Sequence, residues 1–339
     1  MKTNKQYRKT SITRRLCDEA YPFFGRYTND ETRRSFRTNY KKFITFCRDT
    51  YDCKTSAECK EHIQDYADNL VKKGCTASTV HTYLAPCCLF LGADMKSIEK
   101  PLRHVAGFTR GRHCETRTQP DRAALDNPKY SRSVELQKRL GIRRAELARL
   151  KGDNLTLDES GHLCVVVERG KGGKRQLQRI LPEDQAFVKQ YFNGKNEPVF
   201  SSAELNNDVP YHYLRAKQAQ RAYAYYLGKV QGKGGKEYRK QLIAEMKKRF
   251  DVCCADMYEH TARRNKTDSP AVNSEGKRRK AFDMTEATGV YHLRGESRKF
   301  ALKNGLPTDY DKTCLLAVSM FHLSHFRNNV TVSSYLLVI

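Results

Sequence analysis

Apolar positions recur at three- and four-residue steps through the first third of the chain. Phe36, Tyr40, Phe43 and Cys47 form one stripe, and Ile63, Tyr66, Ala67, Leu70 and Val71 a second. Val80, Tyr83, Leu84, Cys87, Cys88 and Leu91 form a third. This spacing predicts amphipathic helices whose stripes meet in a small bundle. Gly74 is placed to stop the second helix, Thr76 or Ser78 to cap the third, and Pro86 to bend it. The faces between the stripes are basic, with Arg33, Arg34, Arg37, Lys41 and Lys42 on one helix. From Pro101 to Pro128 the periodicity fades into Arg, Gly, Thr and Pro. A basic linker is expected over 109–121, between a helical unit at 1–108 and a second unit at 122–339.

The second unit reads as helix, strands, then helix. Residues 134–150 are helical in pattern except for a break at Gly141. The run Leu163, Cys164, Val165, Val166, Val167 is a strand by its branched residues, and 176–181 follows it. Gly170-Lys171-Gly172-Gly173-Lys174 lies between them, which predicts a β-hairpin. Pro182, Glu183 and Asp184 open a helix. Long helical stretches are expected around 209–229 and 237–250, and a polar loop over 260–281. The fold class is mainly α with a small β-sheet or hairpin.

Charge narrows the choice of partner. The chain has 339 residues and a formal net charge of +25. About +10 falls in residues 1–120 and about +15 in the rest, so the excess is not a detachable tail. Two basic units suggest a protein that grips a polyanion from two sides, and double-stranded DNA is the first candidate. No window reaches the roughly 18 to 20 unbroken apolar residues of a membrane helix. Met1 to Arg15 lacks the apolar segment of a secretory signal. The expectation is a cytoplasmic, nucleoid-associated protein with no membrane contact. Twelve cysteines include the adjacent pairs Cys87-Cys88 and Cys253-Cys254 but no C-x-x-C spacing. Cys47, Cys75, Cys87 and Cys88 therefore read as reduced core residues. His322 and His325 could pair on zinc, but no further ligand has suitable spacing.

Four separated segments carry candidate chemistry. They are Gly141-Ile142-Arg143-Arg144-Ala145-Glu146-Leu147, the hairpin tip with Lys171, Tyr291-His292-Leu293-Arg294-Gly295, and Leu323-Ser324-His325 followed by Tyr335. A second G-K-G-G-K run at 232–236 lies between helical stretches instead of strands. The ordered set Arg, Lys, (His/Tyr)-x-x-Arg, His, Tyr resembles the catalytic half of the tyrosine recombinase, or phage integrase, family. Thr76-Ala77-Ser78-Thr79-Val80-His81-Thr82-Tyr83-Leu84 is similar to a recurrent helix of that family's core-binding domain. The resemblance covers about 30–339 and looks closest to integrases of conjugative and mobile elements.

The resemblance implies a helical, SAM-like core-binding domain followed by a tyrosine recombinase catalytic domain. It implies cleavage of DNA by the hydroxyl of Tyr335, giving a 3′-phosphotyrosine and a free 5′-hydroxyl, without ATP, metal or cofactor. Arg143 and Arg294 would fork onto the phosphate oxygens. Lys171 would protonate the leaving oxygen, with Lys174 as its rival. His325 would orient the phosphate and assist Tyr335, and His292 would contribute. Arg33, Arg34, Arg37, Lys41 and Lys174 would contact DNA. Expected partners are a homotetramer on paired sites and an excisionase or host DNA-bending factor, in integration or excision of a mobile element. The alternatives are a type IB topoisomerase-like enzyme and a catalytically silent DNA-binding regulator. Three departures stand out. Tyr291 fills the usual His position with His292 beside it, Ser324 replaces a usual Gly, and only Leu336-Leu337-Val338-Ile339 follow Tyr335. Those four residues cannot form the helix that many family members exchange. Either the chain is cut short, or the apolar tail docks on its own unit or on a neighbour.

Overall fold

The structure is a computed structural model describing residues 11–27, 30–101, 123–170, 175–206, 208–265 and 282–338, with only the backbone described over 254–265. The chain divides into two units, Met1–His113 and Cys114–Ile339. The expected linker at 109–121 lies outside the described residues.

The first unit contains helices α1 (Ile12–Phe24), α2 (Asp30–Tyr51), α3 (Ser56–Glu61), α4 (Ile63–Lys72) and α5 (Ala77–Leu91). The three stripes meet as expected: Tyr40, Phe43, Cys47, Ile63, Tyr66, Ala67, Leu70, Val80, Leu84, Cys87 and Cys88 share one core. Val71 is the exception at 42% exposed, because it falls off the stripe's angular window. Helix α1 was not expected. Ser11 accepts a bond from the Arg14 N–H to start it, and Leu16, Cys17, Ala20 and Phe24 seal the bundle. Gly74 sits at φ +73° beyond the end of α4, and Thr76 caps α5 through the Thr79 N–H. Helix α5 is continuous through Pro86. Every cysteine with a described side chain is a free thiol.

The second unit opens with α6 (Ser131–Leu140) and α7 (Arg144–Leu147), separated at Gly141 as expected. A three-stranded antiparallel sheet follows, in the order β1 (Leu155–Leu157), β2 (Leu163–Val167), β3 (Gln176–Arg179). The β2–β3 hairpin pairs Cys164 with Arg179 and Val167 with Gln176. Then come α8 (Gln185–Lys189), α9 (Tyr211–Gln231) and α10 (Gly235–Asn265). The loop expected over 260–281 is corrected at its start. Helix α10 runs to Asn265 because no Gly or Pro interrupts 236–265, and 266–281 lies outside the described residues. The remaining elements are α11 (Met284–Ala287), β4 (Val290–His292), α12 (Gly295–Lys303), β5 (Asp309–Asp311), α13 (Lys312–Phe321), α14 (Asn328–Thr331) and a π-helical turn, Val332–Leu336. β4 and β5 form a separate antiparallel pair. The architecture is mostly helical with small antiparallel sheets.

A buried ionic network ties the hairpin to the helices behind it. Asp158 accepts from Arg179 at 2.5 Å and Arg249 at 2.9 Å, and Glu245 accepts from Arg179 at 2.7 Å. The Arg179 guanidinium lies 3.5 Å from the centre of the Phe321 ring on α13. Among the described residues, no helix is long and apolar enough to cross a membrane.

Candidate active site

Gly141 ends α6 in the left-handed region, φ +63°, and a Cβ there would meet the Gln218 side chain at 2.9 Å. Both facts demand glycine. The turn places Arg143 in extended backbone at the start of α7, where the Glu146 carboxylate accepts from its backbone N–H at 2.9 Å and its Nη1 at 2.6 Å. Glu146 is 4% exposed, so it supports Arg143 from within the fold.

Tyr335 lies in the π-helical turn and is 6% exposed. Its hydroxyl accepts from Arg215 Nε at 3.4 Å. The His325 ring lies near-parallel to the Tyr335 ring with centres 5.8 Å apart, and the His212 ring meets it edge-on at 5.5 Å. His325 is held by its neighbours. Its backbone N–H donates to the Ser319 carbonyl, and Nδ1 shares a 3.0 Å bond with Ser319 Oγ. Ser319 Oγ also accepts from the Arg327 N–H at 2.7 Å. His325 Nε2 is buried without a hydrogen-bond partner. Burial first, then Arg215, Arg143 and Arg327, push His325 down to about 3, so the ring is neutral near pH 7. Ser324 and Phe326 on either side adopt φ +54° and +53°. The left-handed backbone explains why a glycine would suit position 324, and Ser324 carries strain of about 1 kcal/mol there.

The residues after Tyr335 dock on the same unit. Leu337 is fully buried and Leu336 is 6% exposed, packed with Tyr291, Leu293 and Leu315. Gln220 Nε2 on α9 donates to the carbonyls of Tyr335 at 3.2 Å, Leu336 at 3.4 Å and Val338 at 2.6 Å.

The structure thus gathers Arg143, His325 and Tyr335 and leaves others apart. His292, expected in the catalytic set, bonds Asp309 through Nδ1 at 2.6 Å on the exposed side of the β4–β5 pair. Side chains alternate along a strand, so Tyr291, not His292, faces the Leu336–Leu337 cluster. Arg294 starts α12, is exposed, and has Tyr291 as its electrostatic neighbour. Lys171 and Lys174 lie outside the described residues. His322 and His325 do not pair. His322 is buried between Gln218 Nε2 and Tyr226 Oη, each 3.1 Å away. Among the described residues no group of three His, Cys, Asp or Glu side chains could hold a metal ion.

Sequence reasoning missed α9's contribution. His212, Arg215 and Gln220 reach the site from one helix. The signals were His212-Tyr213-Leu214-Arg215, a second match to the His-x-x-Arg pattern, and polar Arg215 and Gln218 lying within the stripe Tyr211, Leu214, Ala219 and Ala222.

In the first unit, Arg34, Arg37, Lys41 and Lys42 are exposed on α2, as expected of a basic face. Arg33 and Arg34 pair with Asp30 and Glu31 one turn earlier, Arg37 covers the Tyr21 ring, and Lys42 bonds Tyr83 Oη at 2.8 Å. Arg33, Arg34 and Arg37 line an open cleft of about 450 Å³ with Gly25, Asp30 and Thr38.

No family model and no curated protein matches this chain. Among solved structures, it is similar to a crystal structure of XerA recombinase, at 18% identity over 64% of this chain and 85% of that one. The TM-score is 0.22, too low for the likeness to carry an argument about either fold or function.

Proposed function

We propose that this protein is a tyrosine-type DNA strand transferase, acting as the site-specific recombinase of a mobile element. The observation that carries the reading is the environment of Tyr335. Its hydroxyl sits on a buried guanidinium, its ring stacks on a neutral histidine, and Arg143 lies within electrostatic range of both Arg215 and His325. A tyrosine used only for packing has no need of such company.

In this reading the Tyr335 oxygen attacks a DNA phosphorus and the 5′-oxygen leaves. With Nδ1–H donating to Ser319 Oγ, His325 Nε2 carries a free lone pair and accepts the phenol proton. Arg143, fixed by Glu146, donates to the non-bridging oxygens as they gain charge. Lys171, which the sequence sets between the two strands, protonates the 5′-oxygen. The phosphotyrosine preserves the bond energy, so religation is the same step reversed. The basic face of α2 adds phosphate contacts that fix register and carry no sequence information. Two cuts on each of two duplexes call for four protomers.

The test is a nicked duplex taken from DNA flanking the gene, on which the cut strand diffuses away and traps protein. Trapping that depends on site supports the recombinase. Trapping at any sequence with relaxation of supercoils points to a topoisomerase, and binding with no adduct to a silent regulator.

A further inference from the structure

Three cysteines of the first unit meet beneath its surface. Cys47 lies near the end of α2, Cys53 in the turn after it and Cys59 within α3, at a regular spacing of six residues. Cys59 is the hub: its thiol is hydrogen-bonded to the thiols of both Cys47 and Cys53. Cys47 Sγ also lies 3.9 Å from the Cys59 carbonyl oxygen, and the Cys53 N–H donates to the Cys47 carbonyl at 3.4 Å. All three residues are buried, and all three thiols are free. Cys53 and Cys59 are each flanked by exposed residues, Asp52 and Lys54 for one, Glu58 and Lys60 for the other. Both thiols therefore lie only one side chain deep.

The turn that carries Cys53 is held in an unusual shape. Asp52 sits in the left-handed region at φ +52°, which is sterically disfavoured for a residue with a side chain. Arg48, in the last turn of α2, clamps it: Nη1 donates to Asp52 Oδ1 at 2.6 Å and to the Cys53 carbonyl at 2.9 Å. Arg15 Nη2 on α1 donates to the Lys54 carbonyl at 2.7 Å. A cysteine that only fills space at position 53 needs neither the strain nor the clamp. The Cys47 thiol, then the Cys53 thiol and Arg48, hold Cys59 below its ordinary value, against burial and Glu58. Burial first, and then Cys59, raises Cys53. Cys59 is thus the thiol nearest to a thiolate, and the thiolate is the reactive form. Cys53 is the partner free to approach it, because it lies outside any helix, whereas Cys47 is fixed in α2. The trio is not a metal site: among the described residues no three His, Cys, Asp or Glu side chains could hold an ion.

We propose that Cys53 and Cys59 form a dithiol site oxidised by hydrogen peroxide, with Cys59 as the attacking thiol, Cys53 as the resolving thiol and Cys47 as the donor that activates Cys59. The site lies at the end of the helix that carries Arg33, Arg34, Arg37 and Lys41, and it does not depend on the strand-transfer reading. In the first step the Cys59 thiolate attacks one peroxide oxygen. The S–O bond forms, the O–O bond breaks, and the leaving hydroxide takes up the proton that Cys59 released, giving water. In the second step the Cys53 sulfur attacks the Cys59 sulfur. The S–S bond forms, the S–O bond breaks, and hydroxide leaves as water with the Cys53 proton. Two thiols are oxidised to one disulfide, and one peroxide is reduced to two waters. The disulfide straps α3 to the turn after α2.

Peptide mass spectrometry tests this directly, because trypsin cuts after Arg48, Lys54 and Lys60 and leaves the three cysteines on separate peptides. The reduced, folded full chain is treated with hydrogen peroxide, the remaining thiols are alkylated, and the digest is weighed. Peptide 49–54 is expected joined to 55–60. Cys59 should lose its thiol at least about ten-fold faster than Cys17, a buried thiol of the same unit that burial raises. Cys53→Ser should stop the reaction at a Cys59 sulfenic acid, which a 1,3-dione traps, and Cys47→Ala should slow the loss of the Cys59 thiol several-fold. In urea the preference for Cys59 over Cys17 should vanish, since it comes from the fold. The wild-type readout stands even where a variant fails to fold. Loss of the Cys59 thiol no faster than that of Cys17, a link from 55–60 to any cysteine other than Cys53, or a preference that survives in urea overturns the site.

Discussion

Lowering the pH from 7 to 5 should destabilise the second unit through two histidines. His322 is fully buried, and burial, then Arg179, Arg249 and Arg215, push it down to about 3. His325 is pushed to about 3 as well, though the residue as a whole is less buried than His322. An unfolded chain takes up a proton on each near the ordinary value of about 6.5, and the folded chain does not. The stabilisation from keeping them neutral is therefore complete above about 6.5 and is lost as pH falls toward 3. The slope is about 1.4 kcal/mol per pH unit for each histidine. Between pH 6.5 and 5 this amounts to about 2 kcal/mol for His322 and less for His325. Such a loss is a large share of the roughly 5–15 kcal/mol typical of a folded domain. Glu245, lowered to about 2, and Asp158, also lowered, lose their pairing only below about pH 4.5, outside this window. Urea unfolding at pH 7, 6 and 5 reads the slope. His322→Gln can still bond Gln218 and Tyr226 but cannot titrate, so it should remove about half of the slope or more. A flat midpoint from pH 7 to 5, or an unchanged slope in His322→Gln, would refute the reasoning.

Three further outcomes follow from the geometry. Ser324→Gly removes the left-handed penalty beside His325 and should raise stability by about 0.5–1 kcal/mol in urea with cleavage retained; a loss of stability would mean that the φ of +54° is not strained. Asp158→Ala leaves Arg179 and Arg249 buried without their shared acceptor and should cost about 3–5 kcal/mol, read as a lower urea midpoint; a change below 1 kcal/mol would count against the network. Arg143→Lys keeps charge but loses the forked donors, so single-turnover cleavage should fall about 10²-fold or more with binding little changed; near-normal cleavage would place Arg143 outside the chemistry.

Much of this site was legible before the structure, for physical reasons that differ by residue. Gly141 and Arg143 were readable because a helix break leaves a local mark, a glycine at the turn. The stripe positions Tyr40, Phe43 and Leu84 were readable because helical period and burial agree. His325 and Tyr335 were legible only through their order along the chain. Arg215 was not, because its partners Gly141, Leu323 and Tyr335 lie 74, 108 and 120 residues away. The local signals were a polar residue in an apolar stripe and the spacing His212-x-x-Arg215, a second match to the His-x-x-Arg pattern. His292 differs for the opposite reason: adjacency to the motif position suggested a role, while strand alternation places the side chain beside Asp309. β1 escaped because three residues carry too little pattern to distinguish a strand from a loop.

The central claim is that Tyr335 is the nucleophile. Its most direct test is to trap wild-type protein on a nicked duplex, digest the adduct with protease, and sequence the peptide that stays joined to the DNA 3′ end. The account predicts a single linked peptide carrying Tyr335, and none from Tyr335→Phe, which should still bind DNA with unchanged affinity. A DNA-linked peptide carrying any other tyrosine, or an undiminished adduct from Tyr335→Phe, would contradict it.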